Sequence, residues 1–218
     1  MVRYMIGADN FPMSSFNAKP AFEYTGGNLC LDFANTCDHH SGERFEERLT
    51  DYGRLVQWGV GSGAISQKTA DRLLRLAGDA PGNAQSMLRH AIQLREAIYE
   101  VFSAVVARRG IPSNALAALN AAVRRGAEHA NLEHANRRFV WKWIEPESSL
   151  DAMLWPAARS AAELLVSDEA GLVRECASET CNWLFLDKTK NHRRRWCDMK
   201  TCGNRDKARR YYQRQKAQ

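Results

Sequence analysis

No stretch of the chain is apolar for long enough to cross a membrane, so no spanning helix is expected. The opening MVRYMIGADNFPMSSF lacks an apolar core of signal-peptide length, and a cytoplasmic protein is expected. Thiols stay reduced in that compartment, so the 6 cysteines point to metal binding or chemistry rather than disulfides. Catalytic signatures are missing as well: there is no phosphate loop, nucleophile elbow or HExxH pattern. Histidines number only 6 and are scattered. His129 and His134 stand near ligand spacing, flanked by Glu128 and Glu133, but AEHANLEHANRR reads as a loop. Enzymatic activity is therefore not expected. Internal repeats and low-complexity segments are also lacking.

What is present is an uneven charge. Arg174 to Gln218 holds 13 basic and 5 acidic residues, a net of +8, while the rest of the chain nets −2. This split suggests a nucleic-acid-binding module behind a near-neutral domain; a solvated basic tail is the plainer alternative. Residues 1–24 read as a loose segment, 25–170 as a mainly α domain with small β elements, and 171–218 as a small module built from a β-hairpin and a helix.

Periodicity places the elements. GGNLCLDFANT contains a short helix. A second helix follows Thr50 as N-cap and is stopped by Gly59, Gly61 and Gly63. Ser66 caps a third through about Ala77. GDAPGN is a break, and Ala84 to Arg109 forms a long helix with Leu88, Ala91, Ile92, Ile98, Phe102 and Val105 close to one stripe. Ser113 to Arg125 is helical, RRFVWKWIEP alternates like a strand, and Ser148 to Ser167 is helical with a new start or kink at Pro156. LVREC and NWLFLDKT are short strands, and a last helix runs from about Gly203 to Lys216.

Four cysteines fall in the basic module as C-x4-C, fifteen residues, C-x4-C: Cys176, Cys181, Cys197 and Cys202. Four thiolates can close a tetrahedral Zn²⁺ site. A module this small cannot hold itself by core alone, so the metal would be its main stabiliser. A Cys197→Ser change is then expected to unfold the module and spare the first domain. Buried thiol pairs or a redox disulfide are the alternatives. Release of the zinc on thiolate oxidation is a further expectation. Cys30 and Cys37 read as two turns apart on one helix, too distant for a disulfide. Asp38, His39 and His40 follow and have metal-ligand chemistry, but adjacent loop side chains rarely converge alone.

CGNR at Cys202 to Arg205, after C-x4-C and the Trp196–Cys197 step, resembles the CGNR zinc finger family. GGNLCLDFANT and LREAIYEVFSAVVARRG resemble the ABATE domain that precedes this finger. The resemblance covers nearly the whole chain beyond residue 20. It implies a bacterial, stress-linked transcription regulator with Cys176, Cys181, Cys197 and Cys202 as zinc ligands. It implies no ligand or catalytic residue for the first domain.

On the last helix, Asn204, Ala208, Tyr211 and Gln215 form the stripe expected to lean on the module, with Tyr211 near Trp183 or Trp196. Asp206 and Gln213 are expected to face away. Arg205, Arg209, Tyr212 and Lys216 flank one side, Lys207, Arg210 and Arg214 the other. With Arg193, Arg194 and Arg195 at the hairpin, they suit the phosphates of double-stranded DNA, and six to eight contacts would give a salt slope of roughly −5 to −7. Asn204 and Arg205 either read bases or brace the metal turn. Single-stranded RNA stacked on Trp183, Trp196 and Tyr212 is a competing target, and a finger that binds only protein is another.

The first domain has two natural roles, homodimerisation and sensing of a small-molecule effector. Arg95 lies inside the apolar stripe and needs an anionic partner. Asp32 shares a face with Leu29 and Phe33, so an internal Asp32–Arg95 pair is expected. The sharper alternative is a ligand pocket at Asn28, Asp32 and Arg95, lined by Trp58, Trp141, Trp143 and Trp155, which otherwise serve as core.

Overall fold

The structure is a computed structural model and describes residues 22–38, 40 and 45–216. Most of the loose N-terminal segment and His39 therefore lie outside the described residues. The fold is mainly α with small two-stranded antiparallel sheets. No described helix is long and apolar enough to cross a membrane.

Helix α1 spans Leu29–Ala34, and Asn28 caps it by accepting from the Cys30 amide at 3.2 Å. Strand β1 (Cys37–Asp38) pairs with β2 (Glu46–Glu47). Cys37 thus sits on a strand, outside the helix that holds Cys30. Helix α2 (Tyr52–Gly61) is capped by Asp51, whose carboxylate accepts from the Arg54 amide, not by Thr50. A carboxylate at that position reaches the free N–H groups of the first turn. Gly59 does not stop α2; it lies inside it, where an added Cβ would come within 3.0 Å of Met153 and 3.1 Å of Ile65. Ser66 caps α3 (Gln67–Asp79) as expected.

The break before the long helix is much shorter than GDAPGN. Helix α4 (Pro81–Val106) begins with Pro81 at its first position, where a missing N–H costs nothing. Helix α5 (Ser113–Ala127) leads into β3 (Ala130–Ala135), which pairs with β4 (Arg138–Trp143). The stretch read as a loop is therefore a strand. Asn136 and Arg137 both have positive φ, 50° and 61°, as a two-residue hairpin turn requires. Helix α6 (Leu154–Leu165) has Pro156 in its first turn.

α1 packs against α4 and α6, α5 against α4 and α6, and α2 against α3 and α4. Phe33, Trp58, Phe102 and Trp155 are fully buried in the resulting core, with Phe33 and Trp58 centroids 4.6 Å apart. After α6 the chain forms the hairpin of β5 (Val173–Glu175) and β6 (Leu184–Leu186). Val173, Leu184 and Leu186 join this same core. Burying three such side chains contributes roughly 5–9 kcal/mol of transfer free energy. That is comparable with the whole net stability of a domain, so the hairpin is an integral part of the helical fold.

Polar contacts reinforce the joint. Asn35 is buried and acts like one more strand residue: its Nδ2 donates to Leu184 O at 2.8 Å, and its Oδ1 accepts from Leu184 N at 2.9 Å. Leu186 N donates to Gly26 O at 2.8 Å, and Trp183 Nε1 donates to Cys37 O at 2.8 Å. Arg48 clasps Asp38 with two bonds and lies over the Trp183 ring, 4.8 Å from its centroid.

Candidate metal centre and nucleic-acid interface

Cys176 follows β5 and Cys181 precedes β6, so the hairpin itself brings the first pair together. The second pair comes from the return segment. Asp198 accepts from Thr201 N at 2.8 Å and starts one wide turn, Met199–Gly203, that carries Cys202. Helix α7 (Asn204–Lys216) continues directly from it. All four cysteines are buried and free of disulfides. Their four sulfurs lie within 4.8 Å of one another, with Cys181 to Cys197 at 3.5 Å and Cys197 to Cys202 at 3.6 Å. Thiolates about 2.3 Å from one ion in a tetrahedron stand about 3.8 Å apart, so the donor set fits a metal ion. The Cys197 amide points at Cys176 Sγ, 3.4 Å away, as a donor to a charged sulfur would. Trp183, Phe185 and Trp196 pack around the cluster as a small apolar shell.

The segment after β6 that was expected to form a hairpin tip is instead a loop, braced by buried Asp187, which accepts from Thr189 N, Thr189 Oγ1 and Arg194 N. Burial alone would raise its carboxyl, but these bonds outweigh it and hold the group below the usual carboxylate range. Arg194 folds inward: its guanidinium donates to the carbonyls of Trp196 and Cys197 and lies 4.5 Å from the Phe185 centroid. Arg194, one of the residues expected at phosphates, thus spends its Nε and Nη2 donors on backbone carbonyls. Arg193 and Arg195 remain exposed, Arg195 over the Trp196 ring at 5.3 Å.

The orientation of α7 is opposite to the one expected from its stripe. Among the described side chains of the helix Asp206 is the buried one, at 6% exposure, whereas Tyr211 and Tyr212 are 60% and 66% exposed. The reason is Cys202. A ligand must face the metal, and the residue four positions on shares its face. Asp206 pairs with Arg209 and Arg210, and Arg209 also pairs with Glu179. Arg205 donates to Thr180 Oγ1 at 2.9 Å and Asn204 Nδ2 to Lys200 O at 3.0 Å. Both residues of the tetrapeptide thus tie the last helix to the two cysteine turns. Lys207 and Arg214 are exposed and have no ion pair among the described residues.

In the helical domain, the expected Asp32–Arg95 pair is not formed. Arg95 grips Glu47 through two bonds, at 2.6 and 2.8 Å, and Glu96 at 2.8 Å. Those partners come from β2 and from the next residue on α4, which reach the guanidinium more directly than α1 does. Asp32 instead accepts from Gly26 N at 2.8 Å, and burial raises its carboxyl to about 7. Asn28 is occupied by Cys30 and by the Ser160 hydroxyl at 2.5 Å. Asn28, Asp32 and Arg95 therefore do not converge on a shared space. A cavity of ≈ 410 Å³ lies elsewhere, between α5, α6 and the β3–β4 hairpin, lined by Val123, Gly126, Trp141, Trp143, Arg159 and Glu163 among others. Of the four tryptophans, Trp141 and Trp143 reach it, while Trp58 and Trp155 are core.

These features define a helical domain fused to a four-cysteine metal-binding module with a basic helix. Comparison with known families agrees. Residues 27–168 match the ABATE family, described as "Putative stress-induced transcription regulator", and residues 173–215 match the CGNR zinc finger. The chain belongs to the ABATE family and carries a CGNR zinc finger. A search of the curated proteins finds no match.

Proposed function

We propose that this chain is a zinc-dependent transcription regulator of the cytoplasm that binds double-stranded DNA through α7 and the loop after β6. The observation that supports it most is the anchoring of α7. Six of its 13 residues are basic, and Cys202 fixes its first turn to the metal cluster. In this reading Cys176, Cys181, Cys197 and Cys202 hold Zn²⁺, which supplies rigidity to a helix whose charges would otherwise repel. Lys207, Arg214, Arg193 and Arg195 meet phosphates directly. Arg209 exchanges its exposed Glu179 pair for phosphate at little cost, because such a surface pair is worth at most about 1 kcal/mol, while Arg209 and Arg210 both still face buried Asp206. Arg205 acts mainly as a brace. The chain binds and signals; catalysis is not assigned to it.

The helical domain supplies the sensing part. A cavity in the usual size range for small ligands, apolar with one Arg159–Glu163 pair at its side, suits a flat apolar effector with a polar edge. A homodimer through this domain is compatible with the same reading.

One observation favours a second target. Tyr211 and Tyr212 stand exposed among the basic residues and could stack on unpaired bases. Competition separates the two: fluorescence anisotropy on a labelled duplex, challenged with unlabelled duplex and single-stranded RNA. Displacement by duplex, lost on zinc chelation, supports the DNA reading. Displacement by RNA alone would replace it.

A further inference from the structure

We propose that Cys37, His40 and Glu96 form a second metal site, for one divalent cation of the zinc class, outside the four-cysteine cluster. The residues come from β1, the segment after it and α4, so their convergence is a product of the fold. Cys37 Sγ lies 3.4 Å from His40 Nδ1, and His40 Nδ1 lies 3.0 Å from Glu96 Oε2. All three donor atoms fall within 4.8 Å of one another. Around one ion with bonds of about 2.0–2.3 Å, neighbouring donors stand roughly 3.3–3.7 Å apart, so small movements close the site.

The surroundings are those that a metal site needs. A ligating imidazole is oriented by a bond from its other nitrogen. Here His40 Nε2 meets Ala34 O at 2.9 Å, which leaves Nδ1, 3.0 Å from Glu96 Oε2, as the ligating nitrogen; Cys37 Sγ lies 3.4 Å from each ring nitrogen. The ring is fixed in plane by stacking on Tyr99, 3.6 Å between centroids and 7° from parallel. Glu96 has one oxygen toward His40, and Arg95 donates to the other at 2.8 Å. Arg95 in turn is held by Glu47, whose Oε1 also accepts from Leu49 N at 2.7 Å. His40 and Glu96 thus each have a partner that aims them.

The Glu96 side chain is 34% exposed and offers a path from solvent, while that of His40 is 1% exposed. Three protein ligands leave a fourth position for water or an outside donor. The site also adjoins the finger, since Cys37 O accepts from Trp183 Nε1.

The test is metal stoichiometry on the full chain in buffered free zinc. The wild type is expected to hold two equivalents, and Cys37→Ala and His40→Ala one each, with the four-cysteine equivalent retained. One equivalent in the wild type, or two in both variants, overturns the proposal. If the variants do not fold, cobalt titration of the wild type decides. The second Co²⁺ should bring tetrahedral bands with charge transfer from one thiolate; a second Co²⁺ with no sulfur band overturns it. Loss of the four-cysteine equivalent instead would bear on the proposed function and leave this site untouched.

Discussion

Replacing Asn35 by Ala tests whether the finger and the helical domain unfold together. Asn35 makes two bonds to the backbone of Leu184, and both residues are buried. Truncation leaves the Leu184 N–H and C=O without partners where water does not reach. Each orphaned group costs about 1–3 kcal/mol, so the pair is expected to cost about 3 kcal/mol. That is on the order of a hundredfold in the folded-to-unfolded ratio, and a large share of a typical domain's stability. The assay is urea unfolding followed by far-UV circular dichroism and by reaction of the cysteines with a thiol reagent. The expected result is one transition for both probes, shifted together to lower urea. If thiol exposure shifts while the helical transition keeps its midpoint, the two parts are independent and the shared-core argument fails.

By the same logic Cys197→Ser is expected to lower the helical transition as well as metal content; an unchanged helical melt would refute this. Asp32 gives a pH signature. Its carboxyl is raised to about 7 by burial, so between about pH 4 and 7 the folded chain keeps a proton that the unfolded chain has lost. Stability therefore falls as pH rises through that window, by at most roughly 4 kcal/mol. Asp32→Asn should flatten this dependence, read from melting temperatures at pH 5 and 8. Arg194→Ala should destabilise the finger by about 1–3 kcal/mol through lost carbonyl bonds. Lys207→Ala and Arg214→Ala should leave the melt unchanged and each lower the salt slope of DNA binding by about 1.

The helices with strong periodicity and clear caps, such as Ser66 before α3, were readable from the chain because local signals agree there. So was the four-cysteine cluster, since each pair is close in sequence. The β3 strand was not, because both faces of its hairpin are largely exposed and no apolar alternation marks it. The partner of Arg95 was also hidden: Glu47 is 48 residues away and becomes a neighbour only through the β1–β2 turn. Glu96 reaches Cys37 and His40 in the same way, from a helix 56 residues beyond His40 in the chain. The orientation of α7 is different. Its stripe was read from the aromatic residues, although Cys202 already indicated that Asp206 must share the metal-facing side. An anchoring ligand outranks a hydrophobic stripe on a helix this polar.

The most direct measurement is selection of bound duplexes from a random DNA pool, run with the zinc-loaded protein and with the same protein after chelation. The account predicts a converged motif with the loaded protein and none after chelation. An equal motif without metal, or no retained duplex in either arm at near-physiological salt, would contradict it.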